Sequence, residues 1–188
     1  MIILLNGPPN SGKDTIAKII KKKIGSKDYK MSRPIKQAFG ALFGLQGELL
    51  HEMIEGEFKD VAQWKDSQYT PRDVLINLSE DFMKPRFGKD IFGQSAVNFL
   101  QRLSFTHLTI SDTGFNAEVP PICQWYGYHK VKAILIDRKG CKWDSRERID
   151  VTALGIDGYI LNNVHDLDML DAQVHRVLRK WELVDDGS

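Results

Sequence analysis

The chain has 188 residues, 42% of them hydrophobic and 27% charged, enough apolar material for a single domain with a full core. Lysine plus arginine number 26 against 25 aspartates and glutamates, so the net charge is +1 and no general nucleic-acid-binding surface is implied; basic groups that matter must be local. Cys123 and Cys141 lack CxxC spacing and are too few for a disulfide framework, and no apolar run has the length of a membrane span, so the expectation is a cytoplasmic protein with reduced thiols, no zinc and no membrane partner.

The first predicted element is a buried strand, Ile2 to Leu5. Directly after it, Gly7 to Thr15 read Gly-Pro-Pro-Asn-Ser-Gly-Lys-Asp-Thr, a phosphate-binding loop of the GxxxxGK type. Glycines in such a loop let successive N–H groups turn toward an anion, the lysine reaches the β and γ phosphates, and the next helix presents its N-terminus to the same charge. Gly7, Asn10, Ser11, Gly12, Lys13, Asp14 and Thr15 are therefore the candidate nucleotide-binding residues. Asp14 stands where the usual motif has a Ser or Thr whose hydroxyl touches Mg2+. Asp14 can meet the metal directly or through water, and Thr15 offers a hydroxyl one position later; the spacing leaves both open. Ile16, Ile19, Ile20 and Ile24 then recur at helical spacing, and the Lys21-Lys22-Lys23 run reads as that helix's solvated face.

A short strand follows near Tyr29 to Met31, then helices over Pro34 to Phe43 and Glu48 to Ile54. The polar stretch Gly56 to Tyr69 reads as a mobile surface loop, and helices resume over Pro71 to Met83 and Ile91 to Leu103. Strands at Phe105 to Ser111, Val131 to Ile136 and Tyr159 to Leu161 precede a last helix, Leu167 to Trp181. Ser32 before Arg33-Pro34 and Thr70 before Pro71 have the cap-then-proline form of helix starts. Strands alternating with helices predict an α/β fold with a central parallel sheet covered on both faces.

Several residues have a chemical reading beside a plain one. Asp112 follows an apolar strand, where an α/β sheet presents side chains to a ligand, and can orient Mg2+ waters or merely cap the next turn. Arg72 sits in the first turn of a helix, where the dipole disfavours a cation, which a bound acceptor phosphate would explain. Lys36, Lys84 and Arg86 are weaker candidates for the same task or ordinary surface cations. Glu80 and Asp90 are sugar- or base-contacting acids, or simple helix-start acids. Phe82, Phe87 and Phe92 suit either base stacking or a core. None of His51, His107, His129, His165 and His175 has metal-ligand spacing, and His107 is expected inside an apolar strand. No Gly-x-Ser-x-Gly and no cysteine–histidine arrangement suggests acyl transfer.

Four blocks give the chain a likeness that covers nearly its whole length. They are Ser11-Gly12-Lys13-Asp14-Thr15; Ser32-Arg33-Pro34-Ile35-Lys36 with Leu42-Phe43-Gly44-Leu45; Thr70-Pro71-Arg72-Asp73-Val74-Leu75 with Ser79-Glu80 and Gly88-Lys89-Asp90-Ile91-Phe92; and Ile110-Ser111-Asp112-Thr113-Gly114-Phe115-Asn116-Ala117-Glu118. On these the chain resembles the bacteriophage deoxynucleoside monophosphate kinases, a group of P-loop kinases. Arg33 replaces an acidic residue of that pattern, and Gly114 stands where the pattern has arginine, so another cation must serve there or the protein works differently.

The resemblance implies a P-loop kinase-type three-layer fold over 1–188, with an acceptor-binding helical region at about 32–103 and a lid at about 138–150. It implies transfer of a phosphoryl group from ATP, with Mg2+, to a (deoxy)nucleoside monophosphate in a host cytoplasm. Lys13, Arg72, Arg146 and Arg148 would be catalytic, with Arg138 in reserve for the lid arginines, which otherwise form an exposed Arg/Glu cluster. Arg33, Lys36, Arg72, Glu80, Arg86 and Asp90 would hold the acceptor, and Asp14, Thr15 and Asp112 the metal. Partners would be small-molecule nucleotides, with a homodimer left open. Two other readings stand beside it: a P-loop kinase for a different phosphorylated acceptor, and a nucleotide-binding protein without kinase activity. Base and sugar preference depend on pocket contacts that no motif specifies.

Overall fold

In the computed structural model, which describes residues 1–61, 64, 66–144, 146–164 and 166–185, the chain divides into two compact units, Met1–Met31 with Gly93–Ser188, and Ser32–Phe92. The elements run β1 (Ile2–Asn6), α1 (Lys13–Ile24), β2 (Lys27–Tyr29), α2 (Arg33–Phe43), α3 (Gly47–Ile54), α4 (Pro71–Ile76), α5 (Lys84–Phe87) and α6 (Ile91–Leu100). They continue with β3 (Leu108–Ile110), α7 (Val119–Tyr126), β4 (Val131–Asp137), β5 (Asp157–Asn162) and α8 (Leu167–Lys180).

The first unit is built on one sheet of five strands in the order β2-β3-β1-β4-β5. Every pairing is parallel, and Ile2 of the central strand lies opposite both Leu108 and Val131. All of β1 is buried because side chains alternate between two cores. Ile2 and Leu4 pack with Leu100, Ile122 and Val131 on one face, which α6 and α7 cover. Ile3 and Leu5 pack with Ile16, Ile20, Val174 and Leu178 on the other, under α1 and α8. The predicted α/β fold, a parallel sheet between two helical layers, is the one the chain adopts.

Local differences have local causes. The edge strand β2 lies at Lys27–Tyr29 rather than Tyr29 to Met31, its first N–H donating to the His107 carbonyl at 3.0 Å. That places His107 just before β3, not within it. Phe105 also lies outside the ladder and instead stacks on Tyr126 at 5.5 Å. Helix α7 has no counterpart among the predicted elements: Pro120 and Pro121 occupy its first turn, where a missing N–H costs nothing. The helix expected through Leu103 ends at Leu100.

In the second unit, Thr70 caps α4 as expected, in a capping box where its Oγ1 accepts from the Asp73 N–H at 3.1 Å and Asp73 accepts from the Thr70 N–H at 2.8 Å. Ser32 precedes α2 without a side-chain cap bond. The predicted helix from Pro71 to Met83 is α-helical only to Ile76 and π-helical over Asn77–Met83. Ile35, Phe39, Met53 and Phe92 are buried, and the rings of Phe39 and Trp64 both approach Phe43 at 4.7 Å. Within the stretch Gly56 to Tyr69, Glu57–Asp60 form a 3-10 turn, while residues 62, 63 and 65 lie outside the described residues, as do Ser145 and His165. Among the described residues no helix is long and apolar enough to cross a membrane.

Candidate functional site at the carboxyl edge of the sheet

Parallel strands bring the ends of β1, β3, β4 and β5 to one edge, and the phosphate-binding loop leaves β1 at that edge. Asn10 takes a φ of 62° and Gly12 a φ of 98°, so the chain coils before α1 begins at Lys13. No side chain caps this helix start. The N–H groups of its first turn have no intrahelical acceptor and, with the helix dipole, make a ready anion site. The Ser11 hydroxyl in the same loop is buried with no hydrogen-bond partner among the described residues.

Three polar side chains hold the loop and the neighbouring segments together. The amide of Asn163, just past β5, donates to the Ser11 carbonyl at 2.8 Å. Arg138, just past β4, donates to the Asn10 carbonyl at 2.8 Å. Asn6, fully buried at the end of β1, donates to the carbonyls of Thr113 at 3.0 Å and Glu147 at 2.9 Å and accepts from the Ile149 N–H at 3.1 Å. Asn6 and Asn163 were not among the sequence candidates, although a polar residue ending an apolar strand at this edge is the signal that marks them.

Charge concentrates beside the loop. Lys13 donates to the carbonyls of Gly7 at 2.8 Å and Pro8 at 2.6 Å. Burial, and next the Arg146 guanidinium, pull its pKa down from 10.5 to about 8, against the opposing pull of Asp14, Asp112 and Asp144. Arg146 is held by Asp144 through two bonds, Nε to Oδ1 at 2.8 Å and Nη2 to Oδ2 at 2.5 Å. These bonds carry the Asp144 carboxyl down to about 2. The backbone beside Arg146 is tied to the end of β3, the Glu147 N–H donating to the Gly114 carbonyl at 2.8 Å and the Glu147 carboxylate accepting from the Asn116 N–H at 2.7 Å. Arg148 pairs with Asp137 at 2.9 Å. The first unit thus gathers Lys13, Arg146, Asp112 and the loop, with Arg138 and Arg148 on the same edge.

Of the metal candidates, Asp112 follows β3 and accepts from the Met31 N–H at 2.6 Å. Asp14 is exposed and pairs with Lys30 at 3.2 Å. Thr15 lines a groove of about 830 Å3 between α1 and α8 with Lys18, Leu167 and His175. No group of three or more His, Cys, Asp or Glu suited to a metal occurs among the described residues. A pair of carboxylates still fits Mg2+ that takes most of its ligands from phosphate and water. A second groove, about 660 Å3, opens beside the loop between Pro8, Arg138, Cys141, Trp143 and Asn163, at the ends of β4 and β5.

The remaining candidates belong to the second unit. Arg72 pairs with Asp60, Nη2 reaching Oδ2 at 3.3 Å, which gives its cation at the start of α4 a carboxylate partner. Lys36 pairs with Glu55. Lys84, largely buried, pairs with Glu80 at 2.8 Å. Arg86 donates to the carbonyl of Asp81 at 3.0 Å and lies over the Phe82 ring. Arg33 opens α2, and Asp90 lies two residues before the buried Phe92, whereas Phe82 and Phe87 are exposed.

No protein-family model and no curated protein matches the chain. Among solved structures it is similar to a sugar kinase from Janibacter sp. HTCC2649, at 13% identity over 97% of this chain and 95% of that one, with a TM-score of 0.47. The Thermus thermophilus protein TT1252 gives 14% identity, coverage of 96% and 97%, and a TM-score of 0.48. The shikimate kinase of Bacteroides thetaiotaomicron gives 10% identity, coverage of 97% and 98%, and a TM-score of 0.45. Likenesses at these scores carry no argument about activity.

Proposed function

We propose that the protein is a phosphotransferase that moves the terminal phosphoryl group of ATP to a nucleoside monophosphate by direct in-line transfer. The observation that carries this reading is the pairing of an uncapped helix start with Lys13 and Arg146, two cations close enough to oppose each other's charge. Only a multiply charged anion relieves both at once, and a polyphosphate has the size and charge to do so.

In this mechanism the loop N–H groups and Lys13 bind the donor's β and γ phosphates, and Lys13 exchanges the Gly7 and Pro8 carbonyls for them. Asp14, Thr15 and Asp112 would hold Mg2+ waters; the bound metal neutralises charge between the two terminal phosphates. Arg146 and Arg148 neutralise the equatorial oxygens of the group in transfer. The groove beside Pro8, Arg138 and Asn163 suits the donor's base. Arg33, Lys36, Arg72, Glu80, Arg86 and Asp90 are assigned to the acceptor by the sequence resemblance, and the choice of a deoxynucleotide rests on it too. No residue acts as a covalent nucleophile; catalysis is positioning and charge stabilisation.

The test is ADP release from Mg-ATP with each common ribo- and deoxynucleoside monophosphate in turn, with Lys13→Ala as control. Release that requires a monophosphate and is lost in Lys13→Ala supports the reading. ATP binding without acceptor-dependent release overturns it in favour of another acceptor or a non-catalytic binder.

A further inference from the structure

We propose that Gly114 is the seat of Arg146: the missing side chain at 114 leaves room for the arginine stem to cross the end of β3, and this fixes its guanidinium as the phosphate-binding cation beside the loop. The proposal rests on the phosphotransferase reading for its ligand.

The geometry is direct. A β-carbon built on Gly114 would lie 2.8 Å from Cγ and 2.9 Å from Cδ of Arg146, closer than such atoms ever pack. The backbone on both sides is pinned, by the Glu147 N–H to the Gly114 carbonyl at 2.8 Å and by Asn6 to the carbonyls of Thr113 and Glu147. Arg146 therefore cannot step back without breaking those bonds. Gly114 itself lies outside the left-handed region, so a larger residue there meets no backbone penalty. Its glycine is needed for space alone.

The position also answers what the sequence left open, since Gly114 stands where the resembled pattern carries arginine. An arginine grown from 114 and one laid across it reach the same neighbourhood from two places in the chain. Arg146 acts on Lys13 from this seat, and Asp144 holds it in waiting by two hydrogen bonds. A carboxylate in that role is a placeholder for phosphate oxygens, which take the same bidentate geometry. Gly114 is thus a positioning residue, and Arg146 the group that touches ligand.

The experiment is a double-mutant cycle of Gly114→Ala and Arg146→Ala, read by ATP affinity in calorimetry and by steady-state kinetics. Each single variant is expected to weaken ATP about tenfold and to lower kcat by about a hundredfold. The double variant is expected to be no worse than either, because both remove one interaction. A Gly114→Ala protein with wild-type affinity, or losses that multiply in the double, overturns the seat. If Gly114→Ala does not fold, recovery of folding in the double supports the contact, and a double that also fails to fold overturns it. A coupled affinity loss in a protein that turns over no monophosphate overturns the kinase reading alone. Turnover with multiplying losses overturns the seat alone, and a wild-type chain that binds no ATP overturns both.

Discussion

The amide nitrogen of Asn163 occupies the space that a side chain on Gly12 would fill, only 2.4 Å from where that β-carbon would stand, while donating to the Ser11 carbonyl at 2.8 Å. The end of β5 thereby locks the loop in the coil that a φ of 98° at Gly12 demands. Gly12→Ala meets both the left-handed backbone penalty and the displaced amide, at a combined cost of about 2–4 kcal/mol. Loss of ATP affinity by at least about a hundredfold should accompany it. Calorimetric titration and thermal melts check this; an alanine variant that binds ATP normally contradicts the lock.

The lowered pKa of Lys13 makes a pH prediction with a definite sign. Between about 8 folded and 10.5 unfolded, the unfolded chain binds more protons, so this residue makes the ligand-free protein more stable as pH rises through that window. Below the window the buried cation is a liability. A bound polyphosphate restores the charged form, so ATP binding should take up protons near pH 9, seen as a binding enthalpy that depends on the buffer's own ionisation. In Lys13→Met both the uptake and the stability slope should vanish; persistence of either assigns it to another group.

Asn6 satisfies three backbone groups from one buried amide. Asn6→Leu keeps approximate volume but strands two carbonyls and one N–H, costing about 2–4 kcal/mol. Denaturant midpoints should fall accordingly, and Arg146 should lose its fixed place, so kcat should drop more than KM rises. A stable, fully active Asn6→Leu protein is the contrary result.

Arg72 gives a test on the acceptor side. If its guanidinium serves a phosphate, Asp60 competes for it, and Asp60→Asn should lower the monophosphate KM by roughly threefold while leaving ATP affinity unchanged. An unchanged KM ties the pair to structure instead.

The loop was fully legible because its chemistry is local: nine consecutive residues carry the strand exit, the turn and the lysine. The parallel fold was legible from strands that are apolar on every residue, as in Ile2 to Leu5. Helix α7 was hidden because Pro120 and Pro121 read as a break when they are a beginning. Phe105 read as strand because packing on Tyr126 and pairing in a ladder both call for an aromatic. The asparagine staples were invisible for a different reason. Asn6 acts on Glu147, and Asn163 on Ser11, across separations of 141 and 152 residues, and a lone asparagine has no periodicity to announce it.

The π-helical run Asn77–Met83 spends one more residue per turn than the α-helix before it. Deleting a residue there would let the chain continue as ordinary helix, with every backbone bond satisfied, and yet rotate all that follows by about 100°. Lys84 would swing away from Glu80, and Arg86 from the Phe82 ring. The wide turn is a phase shifter, so shortened homologues aligned gap-free through this stretch would pair the wrong cations.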